Sequence, residues 1–273
     1  MQLNLDKPIR SLFEKITLRH VLIALILILT IITRLYNLDA RVMSHDEVNH
    51  VVPSFDLFSG RGYKHDPITH GPLQFHLIAL SYFLFGDNDF TSRLPHALFS
   101  IATVAFVLTY YKRYLGKYGS LAAGFFFAIS PFMMFYGRYA RNEAFCALFS
   151  VMTLYYVLRY LEEREGKYLV GTVITLALNF AAKETAYIFT AELLIFLLVL
   201  TIKDISKIQW PETRMRRETL FAHLAAIGAV VLALGASVFL VKNAAAAVAN
   251  GTISQPSLID VSNGSIFNTF ILL

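Results

Sequence analysis

Apolar residues in this chain gather into separated blocks of roughly 15 to 22 residues, the length an α-helix needs to cross the hydrocarbon of a bilayer. They lie near residues 18–35, 92–111, 119–136, 144–160, 168–182, 187–202 and 220–241, with a shorter block at 72–85. A backbone inside hydrocarbon has no water to bond, so each block that crosses must be a helix. Hydrophobic residues make up 56% of the chain and charged residues only 16%, against about 25% charged in soluble domains, which argues against an ordinary soluble enzyme. The fold class expected is an all-α polytopic membrane bundle.

Charge at the block ends sets the orientation. The net charge is +5, but no Lys/Arg stripe is interleaved with aromatic residues, so no nucleic-acid partner is expected. Lys7, Arg10, Lys15 and Arg19 flank the first block with no small-x-small site after it, which reads as an uncleaved signal anchor. The block at 72–85 would rise only about 21 Å as a helix, short of the ~30 Å core. If it does not cross, fifteen Lys and Arg face the cytoplasm and seven face outward; if it crosses, the bias inverts against the positive-inside rule. The expectation is therefore seven spans plus an outer juxtamembrane helix. Residues 1–241 form the membrane domain, 38–91 the first outer loop, and 242–273 an outer segment leading into a further part of a longer protein.

That topology gathers three polar clusters on one side: His45-Asp46-Glu47, Arg138 to Glu143, and Lys183-Glu184-Thr185. Ionisable groups at a membrane boundary are costly unless they face water, a partner or a substrate, so their convergence marks a site. Asp46 and Glu47 are adjacent carboxylates, suited to one acting as a base while the other orients it or shares a proton. Arg138 and Arg141 suit a clamp on a phosphate, with snorkelling to lipid headgroups as the plainer reading. Glu143 accompanies them, which snorkelling does not explain. Lys183 could meet an anionic leaving group, and Glu184 could neutralise Arg138 or Arg141.

The first outer loop and its edge are rich in histidine. His45, Asp46 and His50 could hold a divalent metal, although His45 and His50 are five apart, so a helix separates them by about 140° and a zincin pair is excluded. His70 precedes Gly71 and Pro72, where Gly71 permits an unusual backbone angle and Pro72 suits a first helical turn; His70 could meet a phosphate, a sugar or the loop backbone. Cys146 is the only cysteine, so the chain contains no internal disulfide framework.

Taken in order, His45-Asp-Glu47, His70-Gly-Pro-Leu73, Ser92-Arg-Leu-Pro95, Ser130-Pro131, Arg138-Tyr-Ala-Arg-Asn-Glu143 and Lys183-Glu-Thr185 resemble the polyprenyl-phosphate-sugar-dependent glycosyltransferases of the GT-C fold. Those include the protein O-mannosyltransferases and the lipid A aminoarabinose transferases, and the chain is most similar to the flippase-activity-associated proteins of archaeal and bacterial glycosylation. The resemblance spans about residues 37–190. It implies a multi-pass protein of a prokaryotic plasma membrane with an extracytoplasmic site. Its partners would be a polyprenyl-phosphate-linked sugar, membrane lipids, and a protein, glycan or lipid acceptor. Asp46 would be the catalytic carboxylate with Glu47 beside it, and the Arg138–Glu143 loop would lie near the lipid phosphate, with Glu143 where many relatives carry Asp. The expected activity is inverting sugar transfer to a hydroxyl with Asp46 as base. The competing expectation is a non-enzymatic flippase component that uses the same cations without breaking a bond.

Overall fold

The computed structural model describes residues 17–64, 70–207 and 219–228. Two compact units divide the chain, residues 1–198 and 199–273. The first holds α1 (Leu18–Leu35), α2 (His45–Phe58), α3 (Leu73–Phe85), α4 (Asp89–Tyr110), α5 (Lys112–Ile129), α6 (Pro131–Tyr136), α7 (Glu143–Glu163), α8 (Gly166–Ala182) and most of α9 (Ala186–Lys207). In the second, the described residues are the end of α9 and α10 (Thr219–Gly228). No strand occurs among the described residues.

Among the described helices, α1, α4 and α7 are long and apolar enough to cross a membrane, while α3, α8 and α10 are apolar but shorter. Seven spans therefore go beyond what the described helices establish by length, and the block at 220–241 runs past the described residues after Gly228. Residues 242–273 lie wholly outside the described residues.

The central helix is α4, which packs against α1, α3, α5 and α7. Its buried face carries Ser92, Arg93, His96, Ser100 and Thr103, whereas α1 turns Leu25, Ile28 and Ile32 outward. That distribution follows from the solvent: lipid tails are as apolar as Leu, so helices associate through small and polar residues and leave large aliphatics outside. Apolar packing supplements the polar face in two places. Val104, Leu108, Leu121 and Ala128 join α4 to α5 with Ile23 and Leu27 of α1 against them; Phe145, Phe149 and Ala182 join α7 to α8 beneath Leu73, Leu77 and Phe99.

Short α3 has both ends fixed at one end of the bundle. Its start is held where Gly71 N–H donates to Ala182 O at 3.2 Å and Gln74 Nε2 donates to Ala140 O at 2.9 Å. Its last turns meet the first turn of α4, with Ser81 Oγ donating to Thr91 O at 2.7 Å and Tyr82 OH 2.6 Å from Ser92 Oγ. Glu47 bonds to both Arg93 of α4 and the amide of Ala140, so these attachment points belong to the same end. Hence α3 lies along that end of the bundle.

Candidate functional site at one end of the bundle

Site geometry begins with a local capping motif. Ser44 N-caps α2: its Oγ accepts from Glu47 N–H at 3.4 Å, while Ser44 N–H donates back to Glu47 Oε2 at 3.1 Å, the reciprocal pair of a capping box. Successive residues on a helix point about 100° apart, so Asp46 and Glu47 leave α2 in different directions. Glu47 turns inward with 0% of its side chain exposed, and Asp46 outward with 52% exposed.

Glu47 is saturated. Arg93 grips it with two bonds, Nε to Oε1 at 2.8 Å and Nη2 to Oε2 at 3.1 Å, while Arg41 reaches Oε2 at 2.9 Å and Ala140 N–H reaches Oε1 at 3.1 Å. Burial alone would raise its pKa; Arg93 and the Ser44 and Ala140 amides outweigh burial and hold it below the ordinary carboxylate range. An anion so fully bonded is a poor proton acceptor. Arg41 also lies 5.0 Å from the Tyr139 ring centroid, and the Tyr139 hydroxyl is 2.7 Å from Ser44 Oγ.

Asp46 instead heads a chain of alternating charge. Its Oδ2 accepts from Arg141 Nη1 at 2.8 Å, Arg141 Nε lies 3.4 Å from Glu143 Oε1, and that same oxygen accepts from Lys183 Nζ at 2.7 Å. Three stretches of sequence separated by about 95 and 40 positions thus meet in one row. Alongside it, His70 Nδ1 lies 2.8 Å from Glu184 Oε2 and the His70 ring stacks on His50 with centroids 6.2 Å apart. His50 is almost fully buried; burial, His70 and Arg141 push its pKa down to about 4, so the ring is neutral.

Several expected partners are exchanged. Lys183 pairs with Glu143, and Glu184 pairs with His70, not an arginine. Arg138 stands apart from the row: its Nη1 donates to the carbonyls of Thr33, Arg34 and Tyr36, and its Nη2 to that of Asn37, so it closes the C-terminal end of α1. Those carbonyls lack intrahelical partners, and a cation there also opposes the helix dipole. At the Gly71 turn the left-handed residue is His70, with φ 73°, and not the glycine. Gly71 is needed for close approach, since a Cβ there would sit 2.1 Å from Ala181 O. His45 is exposed and faces Asn49, its Nδ1 3.4 Å from that amide. Among the described residues no three His, Cys, Asp or Glu side chains are grouped to hold a metal ion, so His45, Asp46 and His50 do not form such a set.

Arg34 and Arg93 lie near helix ends, outside the three polar clusters. Both are fully buried: Arg93 holds Glu47, and Arg34 donates to Ser100 Oγ at 3.1 Å and to the carbonyls of Ala128 and Phe127 at 3.0 and 3.3 Å. The available signal was an arginine inside an apolar block, where only a dedicated partner makes it tolerable.

A family model described as dolichyl-phosphate-mannose-protein mannosyltransferase matches residues 69–215, more than half of the chain. No curated protein matches the chain.

Proposed function

Because the chain belongs to the dolichyl-phosphate-mannose-protein mannosyltransferase family, we propose that it is an integral membrane glycosyltransferase of GT-C type, taking a sugar from a polyprenyl-phosphate donor. The acceptor is a hydroxyl on a protein, a glycan or a lipid, and transfer occurs on the extracytoplasmic side of a prokaryotic plasma membrane. The full membrane domain on this reading has seven spans, with α3 lying along the outer face.

Asp46 is the base. Its Oδ2 is engaged by Arg141 while Oδ1 accepts no hydrogen bond from a described residue, and half of the side chain is open to solvent. The acceptor hydroxyl gives its proton to Oδ1 as its oxygen attacks the anomeric carbon from the face opposite the phosphate. The bond from that carbon to the phosphate oxygen breaks, and the electron pair leaves with the lipid phosphate. The anomeric centre inverts through an oxocarbenium-like transition state. Arg141 and Lys183 stand where charge develops on the departing phosphate and stabilise it there. Glu143 holds both cations in place, Glu184 orients His70, and Glu47 fixes the turn that presents Asp46.

The observation that carries this reading is the division of labour between neighbours, with Glu47 saturated and buried and Asp46 half open beside a row of cations. Asp46→Asn keeps the shape and removes the base. Purified Asp46→Asn protein should bind a polyprenyl-phosphate sugar as the wild type does while turnover falls by about 10²–10⁴. Sugar transfer at the wild-type rate would remove Asp46 as the base, while donor binding by a wild type that transfers no sugar would favour the non-enzymatic flippase component.

A further inference from the structure

A cleft of about 340 Å³ opens between α7, α8 and the start of α9, lined by Cys146, Ser150, Asn179, Thr185 and Glu192 with apolar side chains of α9. It adjoins the charged row, because Cys146 follows Glu143 by three positions on α7 and Thr185 follows Lys183 by two. Asn179 is 1% exposed; its Nδ2 donates to Ser150 Oγ at 3.1 Å, yet its Oδ1 is buried with no partner. A buried amide oxygen left unbonded costs about 1–3 kcal/mol unless something donates to it. Glu192 stands about 9 Å along α9 from its start, on the exposed surface of an apolar helix and with no ion-pair partner among the described residues. A carboxylate at such a depth marks a ligand or a pathway.

The buried cleft atom left without a partner, Asn179 Oδ1, needs a hydrogen-bond donor, and so does the Glu192 carboxylate. An amide oxygen and a carboxylate ask for hydroxyl or ammonium protons and repel an anion, while Ser150 and Thr185 can adapt in either direction. The volume sits at the lower end of small-molecule sites, enough for one sugar ring. We propose that the cleft lined by Asn179, Ser150 and Glu192 receives the sugar ring of the lipid-linked donor and selects a monosaccharide without negative charge, rejecting uronic acids. This rests on the glycosyltransferase reading of the adjoining row. It also separates two tasks: the row meets the phosphate, and the cleft beside it reads the ring hydroxyls.

Binding is measured in full-length Asp46→Asn protein, which holds the donor uncleaved, with three probes: a polyprenyl-phosphate hexose, the corresponding uronate, and sugar-free polyprenyl phosphate. The hexose donor should bind at least about tenfold more tightly than the uronate, a difference of about 1.4 kcal/mol. Glu192→Gln should shrink that ratio to under about threefold without changing affinity for the sugar-free lipid. Ile188→Trp, which fills the cleft from the exposed side of α9, should bring the hexose donor down to the affinity of the sugar-free lipid. An unchanged ratio in both variants, or an equal loss for the sugar-free lipid, overturns the proposal. So does competition by phosphatidylethanolamine as strong as that by the hexose donor, which would assign the cleft to a lipid amine. Glu192-dependent selectivity in binding, in a protein whose wild type transfers no sugar, would sink the Asp46 mechanism and leave the cleft standing.

Discussion

Asp46 and Glu47 are one peptide bond apart and face opposite fates. Glu47→Gln leaves Arg93 buried against a neutral amide, and breaking a buried ion pair from one side costs on the order of 3–5 kcal/mol. Asp46→Asn loses one half-exposed pair with Arg141, worth at most about 1 kcal/mol. Thermal unfolding in detergent should therefore drop sharply for Glu47→Gln and barely move for Asp46→Asn, the reverse of their expected ranking in a binding-normalised turnover assay. His50 supplies a pH dependence. Folding lowers its pKa from 6.5 to about 4, so its contribution to stability is complete above about 6.5 and is lost as pH falls towards 4. Unfolding temperature should decline over that window, and His50→Gln should flatten the decline.

At the scale of elements, the Gly71 turn presses α3 onto the end of α8. Gly71→Ala puts a methyl group into the Ala181 and Ala182 backbone, 2.1 Å from Ala181 O, and backbone cannot rotate out of the way as a side chain does. Overpacking of this kind costs typically about 1–3 kcal/mol. We expect a lower unfolding temperature together with loss of the His70–Glu184 contact, read as a change in the His70 ring resonances. Block periodicity located α1, α3, α4, α7 and α8 to within a few residues because a bilayer imposes its length on sequence. It gave no sign of α2, where the signal was the Ser44-x-x-Glu47 capping pair inside a polar stretch. The row from Asp46 to Lys183 was legible as residues, since unrelated segments shared one predicted side. Pairings were not legible: which cation meets Glu143, or that Arg138 serves α1, depends on side-chain reach across the bundle, which no spacing encodes.

For the whole molecule, α7 joins two charged ends. Arg141 and Glu143 mark its start, and Arg159, Glu162 and Glu163 its finish, where Arg113 meets Glu162 at 2.7 Å and Arg159 meets Glu163 at 2.8 Å. Its 21 residues rise about 32 Å, the thickness of the hydrocarbon core. These two ends should therefore face opposite compartments. In a Cys146→Ser background, His45→Cys should react with a membrane-impermeant thiol reagent added to intact cells, and Glu162→Cys only after permeabilisation. Labelling of both from outside would cancel the topology and with it the shared location of the site.

Arg138 and Glu47 together have a mechanical meaning. One fastens the end of α1 to the segment before α7, and the other fastens that same segment to α4, so the mouths of three helices are laced by bonds that owe nothing to contact with lipid. Swelling or thinning of the surrounding bilayer can tilt the shafts of these helices, but their spacing at the rim is fixed by guanidinium and carboxylate.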